Sequence, residues 1–475
     1  MRSGPARPGS AGQGSSGRGF ALLGAVQAVL IFTIMILSVP LPLVAREFGL
    51  GPSGVLLLSA AYGLSFSSLL LLGGRLADRH GGRRMLRAGL LLLAAASVAS
   101  AAAPTYPFLL ATRFVQGVGA ALAAPAAVAV VRALLPQPAA YGRAMATWGG
   151  LSVLGATAGN LLSGAVTAWA SWRWLFGVPV LVAVAGLALS GRLLPSAGPV
   201  PGAPSALDLR GAALATTGVC AASYGLVAAG EHGWGAPTVL GPLVVGAALL
   251  LAFAAAERRT ADPLLPPGFL ADRRRATALA AVMATAAGTA LTFLLLPLYL
   301  QQVRGWGVLA TSAAFLPYAA VLLLAGRLAA PLTARYGAAA VTAGGLAVAA
   351  AGLALLAGLA PATPYVTGLL PGLLLLPAGA GPAFAGAAVL ATHGVPPDRT
   401  GLAAGVLNTA MELGPTTGVA ALMALAATRP TEVGGYAVAF AAAAAGLALT
   451  AVAVTFLTRS THSAHPLNHT EEYSA

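Results

Sequence analysis

Fourteen stretches of about twenty apolar residues, separated by short polar turns, decide what this chain can fold into. They run near 20–44, 53–73, 85–103, 107–134, 143–168, 173–194, 208–229, 238–256, 276–301, 308–330, 338–360, 363–391, 400–427 and 434–457. A hydrocarbon core about 30 Å thick takes roughly 20 residues of helix, whereas a barrel strand crosses it in about ten. The runs therefore predict helices, whose backbone groups are all satisfied inside the segment. Only 8% of the 475 residues are charged, where a soluble domain carries about 25%. Lipid must be the solvent for most of the chain, which is expected to be an all-α membrane protein. The first run is longer than the roughly 7–15 apolar residues of a signal peptide and is followed by further runs, so it reads as a retained helix.

The net charge of +14 comes from arginine alone, since the chain has no lysine. These arginines lie between the apolar runs rather than along one groove, a pattern of membrane orientation and not of phosphate-backbone recognition; no nucleic-acid partner is expected. With the N-terminus in the cytoplasm, the arginines of 74–87 and 273–275 and most others face inward. Arg46, Arg173, Arg304 and Arg429 face outward. An odd number of spans would scramble this partition, so both termini are expected in the cytoplasm of a plasma-membrane protein. Twelve spans would follow if the pair within 208–256 were not membrane-crossing. The single cysteine, Cys220, allows no intramolecular disulfide.

The chain echoes itself at a spacing near 255 residues. Gly74-Arg75-Leu76-Ala77 returns as Gly326-Arg327-Leu328-Ala329, and Leu154 to Gly159 returns as Leu413 to Gly418. Pro138 and Gly142 are matched by Pro397 and Gly401. Two related six-helix bundles with an inserted pair are expected: a disordered 1–19, a bundle over 20–194, a linker with two helices over 195–275, a bundle over 276–458, and a disordered tail over 459–475.

Between the second and third runs stands Gly74-Arg75-Leu76-Ala77-Asp78-Arg79-His80-Gly81-Gly82-Arg83-Arg84. Arg113-Phe114-Val115-Gln116-Gly117-Val118-Gly119-Ala120-Ala121 lies in the fourth run, and Trp172-Arg173-Trp174-Leu175-Phe176 precedes the sixth. The inserted pair opens at Leu207-Asp208-Leu209-Arg210-Gly211 and closes at Pro263-Leu264-Leu265-Pro266-Pro267. In these motifs, over about residues 20–457, the chain resembles the fourteen-span drug:proton antiporter branch of the major facilitator superfamily (EmrB/QacA type). The resemblance implies two six-helix bundles plus a two-helix insert, working by alternating access on amphipathic or lipophilic molecules in exchange for protons. It also implies a gating loop of Gly74, Asp78, Arg79, Gly81, Arg83 and Arg84, in which the Asp78 carboxylate bonds a helix end or an arginine.

Arg113 is the one arginine deep inside a run, and a charge there normally faces a cavity or a partner. Its expected work, with Gln116, is contact with a polar or anionic group and response to protonation, against a purely structural bond to backbone carbonyls. Glu412 is the only one of twelve acids placed mid-run. Loss of water disfavours its charged form, so it is a candidate proton carrier or cation contact, with Asn408 one turn before it. The family places an acid in the first span where this chain has Thr33. It also has Pro and Gly in the fifth span where Ala156 and Asn160 stand, which leaves uptake of a solute open as the alternative to export.

Gly117, Gly155, Gly159, Gly414, Pro415 and Gly418 read as close-packing positions, with Gly155 and Gly159 expected to meet the other half. Gln27, Tyr62, Phe293, Tyr299 and Tyr318, with Asn408 and Glu412, are expected to line the substrate cavity. No HExxH, Walker loop, nucleophile elbow or paired carboxylates occur, so no enzyme, cofactor or metal is expected. His232 and His393 read as span-end residues, and His462, His465 and His469 as a solvated tail. The bilayer, an amphipathic small molecule and protons are the expected partners of a monomer.

Overall fold

The computed structural model describes residues 10–195, 208–260, 263, 267–395 and 400–459. The expected tail, with His462, His465 and His469, lies outside them. Among the described residues every regular element is helical. In the first half these are α1 (Ser10–Met35), α2 (Leu41–Phe48), α3 (Pro52–His80), α4 (Gly82–Ala101), α5 (Tyr106–Leu134), α6 (Pro138–Trp169) and α7 (Gly177–Leu193). The middle of the chain forms α8 (Leu209–His232), α9 (Pro237–Glu257) and the short α10 (Pro267–Ala271). The second half forms α11 (Arg273–Leu298), α12 (Val308–Ala313), α13 (Leu316–Tyr336), α14 (Ala338–Leu356), α15 (Leu370–Thr392), α16 (Thr400–Leu413), α17 (Val419–Ala426) and α18 (Glu432–Arg459).

Among the described residues, twelve helical segments are long and apolar enough to cross a bilayer. The runs near 143–168 and 400–427 correspond to α6 and to α16 with α17, which are not among the twelve. Helix α1 starts at Ser10, within the stretch expected to be disordered, and stops at Met35 rather than near 44. The stop is local chemistry. Pro40 has no N–H to donate to the Ile36 carbonyl and its ring crowds that turn, so the ladder is weakened where α1 ends, and α2 starts directly after it. The Ser38 amide and hydroxyl both turn back to the Met35 carbonyl, at 3.0 and 2.6 Å.

Proline also separates the two related copies of one motif. Pro415 interrupts the hydrogen-bond ladder, and a π turn, Gly414–Gly418, divides α16 from α17. Ala156 stands at the corresponding position of the first half, and α6 runs unbroken. Both halves nonetheless use the same small-residue contact. A Cβ on Gly155 would run into the Ala28 carbonyl of α1, and one on Gly414 into the Met283 carbonyl of α11. Lipid gives helices no hydrophobic reason to associate, so such backbone-to-backbone approach carries the packing.

Helices α1 and α3 to α7 pack on one another, as do α11 and α13 to α18. Helices α8 and α9 pair through Gly218, Gly225 and Gly246, and α8 rests on both α3 and α17. The inserted pair thus lies along the seam between the two sets. Across that seam α3 meets α16, and α6 meets α12 and α13.

Candidate functional site

The break in α1 creates the polar centre of the first set. Two arginine-motif residues meet there. Arg113 is 1% exposed, and its Nη1 donates to the Thr33 carbonyl at 2.9 Å and to Gln116 Oε1 at 3.1 Å. Gln116 Nε2 in turn donates to Ser97 Oγ at 2.7 Å. The guanidinium lies 5.1 Å from the centre of the Tyr62 ring, whose hydroxyl donates to the Leu30 carbonyl at 3.0 Å. Among the described residues no carboxylate pairs with Arg113, and its Nε has no partner. The charge sits instead at the C-terminal end of α1, where the carbonyls lack amide partners and the helix dipole favours a cation. Thr33, where the resemblance would place an acid, meets Arg113 through its backbone carbonyl.

Most of the stretch expected as a loop, 74–84, is helical: α3 runs to His80 and α4 starts at Gly82, with Gly81 alone between them. A Cβ on Gly73 would strike the Ala121 carbonyl, while one on Gly74 meets only Pro125 at 3.8 Å. Gly81 supplies the left-handed turn, at φ +88°. Arg75 donates to the Pro263 carbonyl and Arg83 to the Leu194 carbonyl at 3.1 Å, tying the loop to the exit of the insert and the end of α7. Arg79 and Arg84 are exposed. The Asp78 carboxylate, expected to hold a helix end or an arginine, has no hydrogen bond or ion pair among the described residues. Its surface is accessible, yet enough protein surrounds it that lost hydration raises its pKa above the ordinary value, against the fields of Arg75 and Arg132.

A raised carboxyl pKa opposes folding at neutral pH, and the penalty fades as pH falls through the folded value. Asp78→Asn should therefore leave the melting temperature in detergent unchanged or higher at pH 7. A latch role requires transport to fall in the same variant, and normal transport would remove Asp78 from gating.

The opposite end is fastened across the seam. Gln301 Nε2, from the π turn Tyr299–Val303, donates to the Val39 carbonyl at 2.8 Å. Ser312 Oγ of α12 donates to the Asn160 carbonyl at 3.1 Å, and Ser38 Oγ donates to Asn160 Oδ1 at 3.3 Å. One turn beyond Asn160, a Cβ on Gly164 would collide with the Ser312 side chain. This cluster escaped the sequence reading, although amides such as Asn160 and Gln301 inside apolar runs were its signal.

Gly155 and Gly159 do not face the other half. Both press on α1, Gly155 on Ala28 and Gly159 on Phe32 and Met35, because residues four apart share a helix face. Gly164, on another face, makes the cross-seam contact. Gly117 packs on Tyr62 and Ser65, and Gly418 on Ala287.

The candidate lining residues are mostly enclosed in this arrangement. Gln27 donates to Ser152 Oγ at 3.0 Å, and Tyr299 to the Ala360 carbonyl at 2.7 Å. Phe293 stacks on Phe315 and meets Tyr318 edge-on. Asn408 is exposed on α16, and the Glu412 side chain lies outside the described ones.

At the same end as the seam contacts, Glu47 binds Arg173 at 2.7 Å and accepts from Trp172 Nε1 at 2.7 Å. Arg173 also reaches the Ala103 carbonyl at 3.2 Å, so α2 and two connecting segments are joined. Partial burial pushes the Glu47 pKa up, but the Trp172 bond and the Arg173 charge outweigh it, and the net value is lowered. The stabilisation is present above the unfolded carboxylate value and lost as pH falls through the folded one. Glu47→Gln should cost about 1 kcal/mol or less at pH 7, because the pair is partly exposed, and less at an acidic pH as the folded carboxyl takes up its proton. Thermal unfolding at both pH values checks this.

The Major Facilitator Superfamily profile matches residues 22–419. The chain belongs to this superfamily. It is 38% identical to the puromycin resistance protein pur8 of Streptomyces alboniger, over 91% of this chain and 90% of that one. It is 32% identical to the cephamycin export protein CmcT of Amycolatopsis lactamdurans, over 90% and 89%. The fold of the POT family transporter PepTSo superposes with a TM-score of 0.65 at 14% identity, covering 94% of this chain and 99% of that one. The chain is thus a multi-pass membrane transporter rather than an enzyme.

Proposed function

We propose that this transporter exports amphipathic small molecules of the antibiotic or secondary-metabolite class from the cytoplasm, by alternating access and in exchange for protons. The observation that carries the reading is similarity over nine-tenths of the chain to proteins named for antibiotic resistance and for antibiotic export. In this reading the chain crosses the plasma membrane fourteen times, α6 and the α16–α17 pair included, with both termini and the 74–84 loop in the cytoplasm. It acts as a monomer of two six-helix bundles, 20–194 and 276–458, joined by the insert within 195–275.

Alternating access needs two ends that fasten in turn. In the arrangement described, Gln301, Ser312, Asn160 and Val39 hold the outer end, while Asp78 at the inner end has no bond among the described residues. The inner latch engages in the other state, when the outer contacts part. Glu412 carries the coupling proton, and Arg113 holds the broken end of the first span beside the path. Expression in a pump-deleted bacterial host should raise the minimum inhibitory concentration of several amphipathic antibiotics. Everted vesicles should accumulate the same compounds when their lumen is acidified. Accumulation in whole cells rather than in everted vesicles would establish uptake instead.

A further inference from the structure

The two halves build one turn twice, and only one copy is basic. Gly81 (φ +88°) leads from α3 into α4, and Gly337 (φ +82°) leads from α13 into α14 with nearly the same backbone. After Gly81 the helix opens with Arg83, Arg84 and Arg87; at the matching places after Gly337 stand Ala339, Ala340 and Ala343. The second copy shows that this turn and helix start form without arginines. Arg83 also holds the Leu194 carbonyl, but the turn itself needs none of the three charges, and Arg84 and Arg87 are exposed.

Arg83, Arg84 and Arg87 line a cavity of about 370 Å³. Arg83 uses one guanidinium nitrogen on Leu194, whereas Arg84 and Arg87 have no carboxylate partner among the described residues. Directly along the helix from Arg84, at seven-residue steps, come Leu91 and Val98, which are 62% and 56% exposed. Seven residues bring a helix back to nearly the same face, so the three form one stripe about 21 Å long, more than the ~15 Å of one leaflet. Helix α7 packs alongside α4, its Leu90 contact at Gly186, and adds the exposed Leu181, Val184 and Leu189. Positive charge at the membrane boundary thus continues into an apolar track running into the bilayer.

We propose that this face binds an anionic glycerophospholipid. Its phosphodiester sits among Arg83, Arg84 and Arg87, and an acyl chain lies along Leu91 and Val98 beside α7. Guanidinium groups recognise phosphate oxygens through paired N–H donors, and basic clusters at the cytoplasmic boundary select negatively charged headgroups. A free phosphate ion would satisfy the arginines but leave the apolar track without purpose.

The test is native mass spectrometry of the full chain in detergent micelles supplied with equal phosphatidylglycerol and phosphatidylcholine. The wild type should retain phosphatidylglycerol selectively, a comparison that needs no variant. Arg84→Ala/Arg87→Ala, which installs the residue type of the second copy, should reduce that retention about tenfold or more. Arg327→Ala/Arg335→Ala, two exposed arginines on α13 of the other helix set, should not. Arg84→Gln/Arg87→Gln keeps the measurement available if the alanine variant fails to fold. Equal retention of the two lipids, equal losses in both arginine pairs, or displacement of phosphatidylglycerol by millimolar inorganic phosphate would each overturn the site.

Discussion

Gly164→Leu should stop transport without unfolding the protein. Gly164 faces Ser312 and the Val308 carbonyl so closely that even a Cβ would overlap the serine side chain. The residue lies one turn from Asn160, whose carbonyl receives the Ser312 hydroxyl. A leucine there has no room while the outer end is closed and ample room once α6 and α12 separate. Overpacking of this kind costs about 1–3 kcal/mol, which shifts a two-state balance on the order of 5- to 150-fold toward the open form. Because Gly164 contacts the other half and not its own bundle, the helix set around α1 is untouched. Gly155→Leu is the contrast. It would drive a side chain into the Ala28 carbonyl inside one bundle, and should lower melting temperature and yield as well as transport. The readout is labelling of Val39→Cys in a Cys220→Ser background, Cys220 being the only native cysteine. Val39 is fully buried in the closed arrangement, so a membrane-impermeant maleimide should react slowly with it, and about tenfold or more faster when Gly164→Leu is added. Unchanged labelling with full transport would show that this contact is not a gate.

Much of this architecture was legible because lipid imposes coarse rules. A run of twenty apolar residues can hardly be anything but a helix, and the repeated Gly-Arg-Leu-Ala and Leu-Gly motifs announced two related halves. Arg113 and Gln116 were recognisable as a unit, and they do share a hydrogen bond. What failed to show was what depends on direction around a helix. Gly155, Gly159 and Gly164 look equivalent in sequence, yet the first two face α1 and the third faces α12. Likewise the first run continues in hydropathy to residue 44 although α1 ends at Met35, in the turn before Pro40. That early end is what exposes the Thr33 carbonyl to Arg113, so a missing acid in the motif did not mean a missing partner. The sequence could report the absence of a carboxylate, but not the appearance of a helix terminus in its place.

Glu412→Gln should abolish drug resistance at unchanged expression. The first span offers no titratable group, since Thr33 occupies the acid's place and donates its hydroxyl to the Val29 carbonyl at 2.7 Å. Arg113 remains charged throughout the physiological range by the chemistry of guanidinium and cannot cycle a proton. Tyr62, Gln116 and Asn160 do not change charge near neutrality. Of the acids in the apolar helices, Glu257 is buried at the last residue of α9, whereas Glu412 alone lies mid-run, and a proton-driven cycle is therefore assigned to Glu412. Its backbone position suits a proton carrier, because α16 crosses the seam against α3 and also packs on α11. The π turn Gly414–Gly418 begins two residues later, a place where the helix ladder is already interrupted and can shift at small cost. Glutamine keeps the size and hydrogen-bonding shape of the protonated acid but never releases the proton. Substrate binding to purified protein should therefore persist within about threefold, while gradient-driven efflux from proteoliposomes falls to background. Glu412→Asp, which restores a titratable group on a shorter stem, should recover part of the efflux with a displaced pH optimum. If Glu412→Gln still pumps against a gradient, the coupling ion is not a proton carried by this residue, and the buried Glu257 at the end of α9 is the next acid to replace.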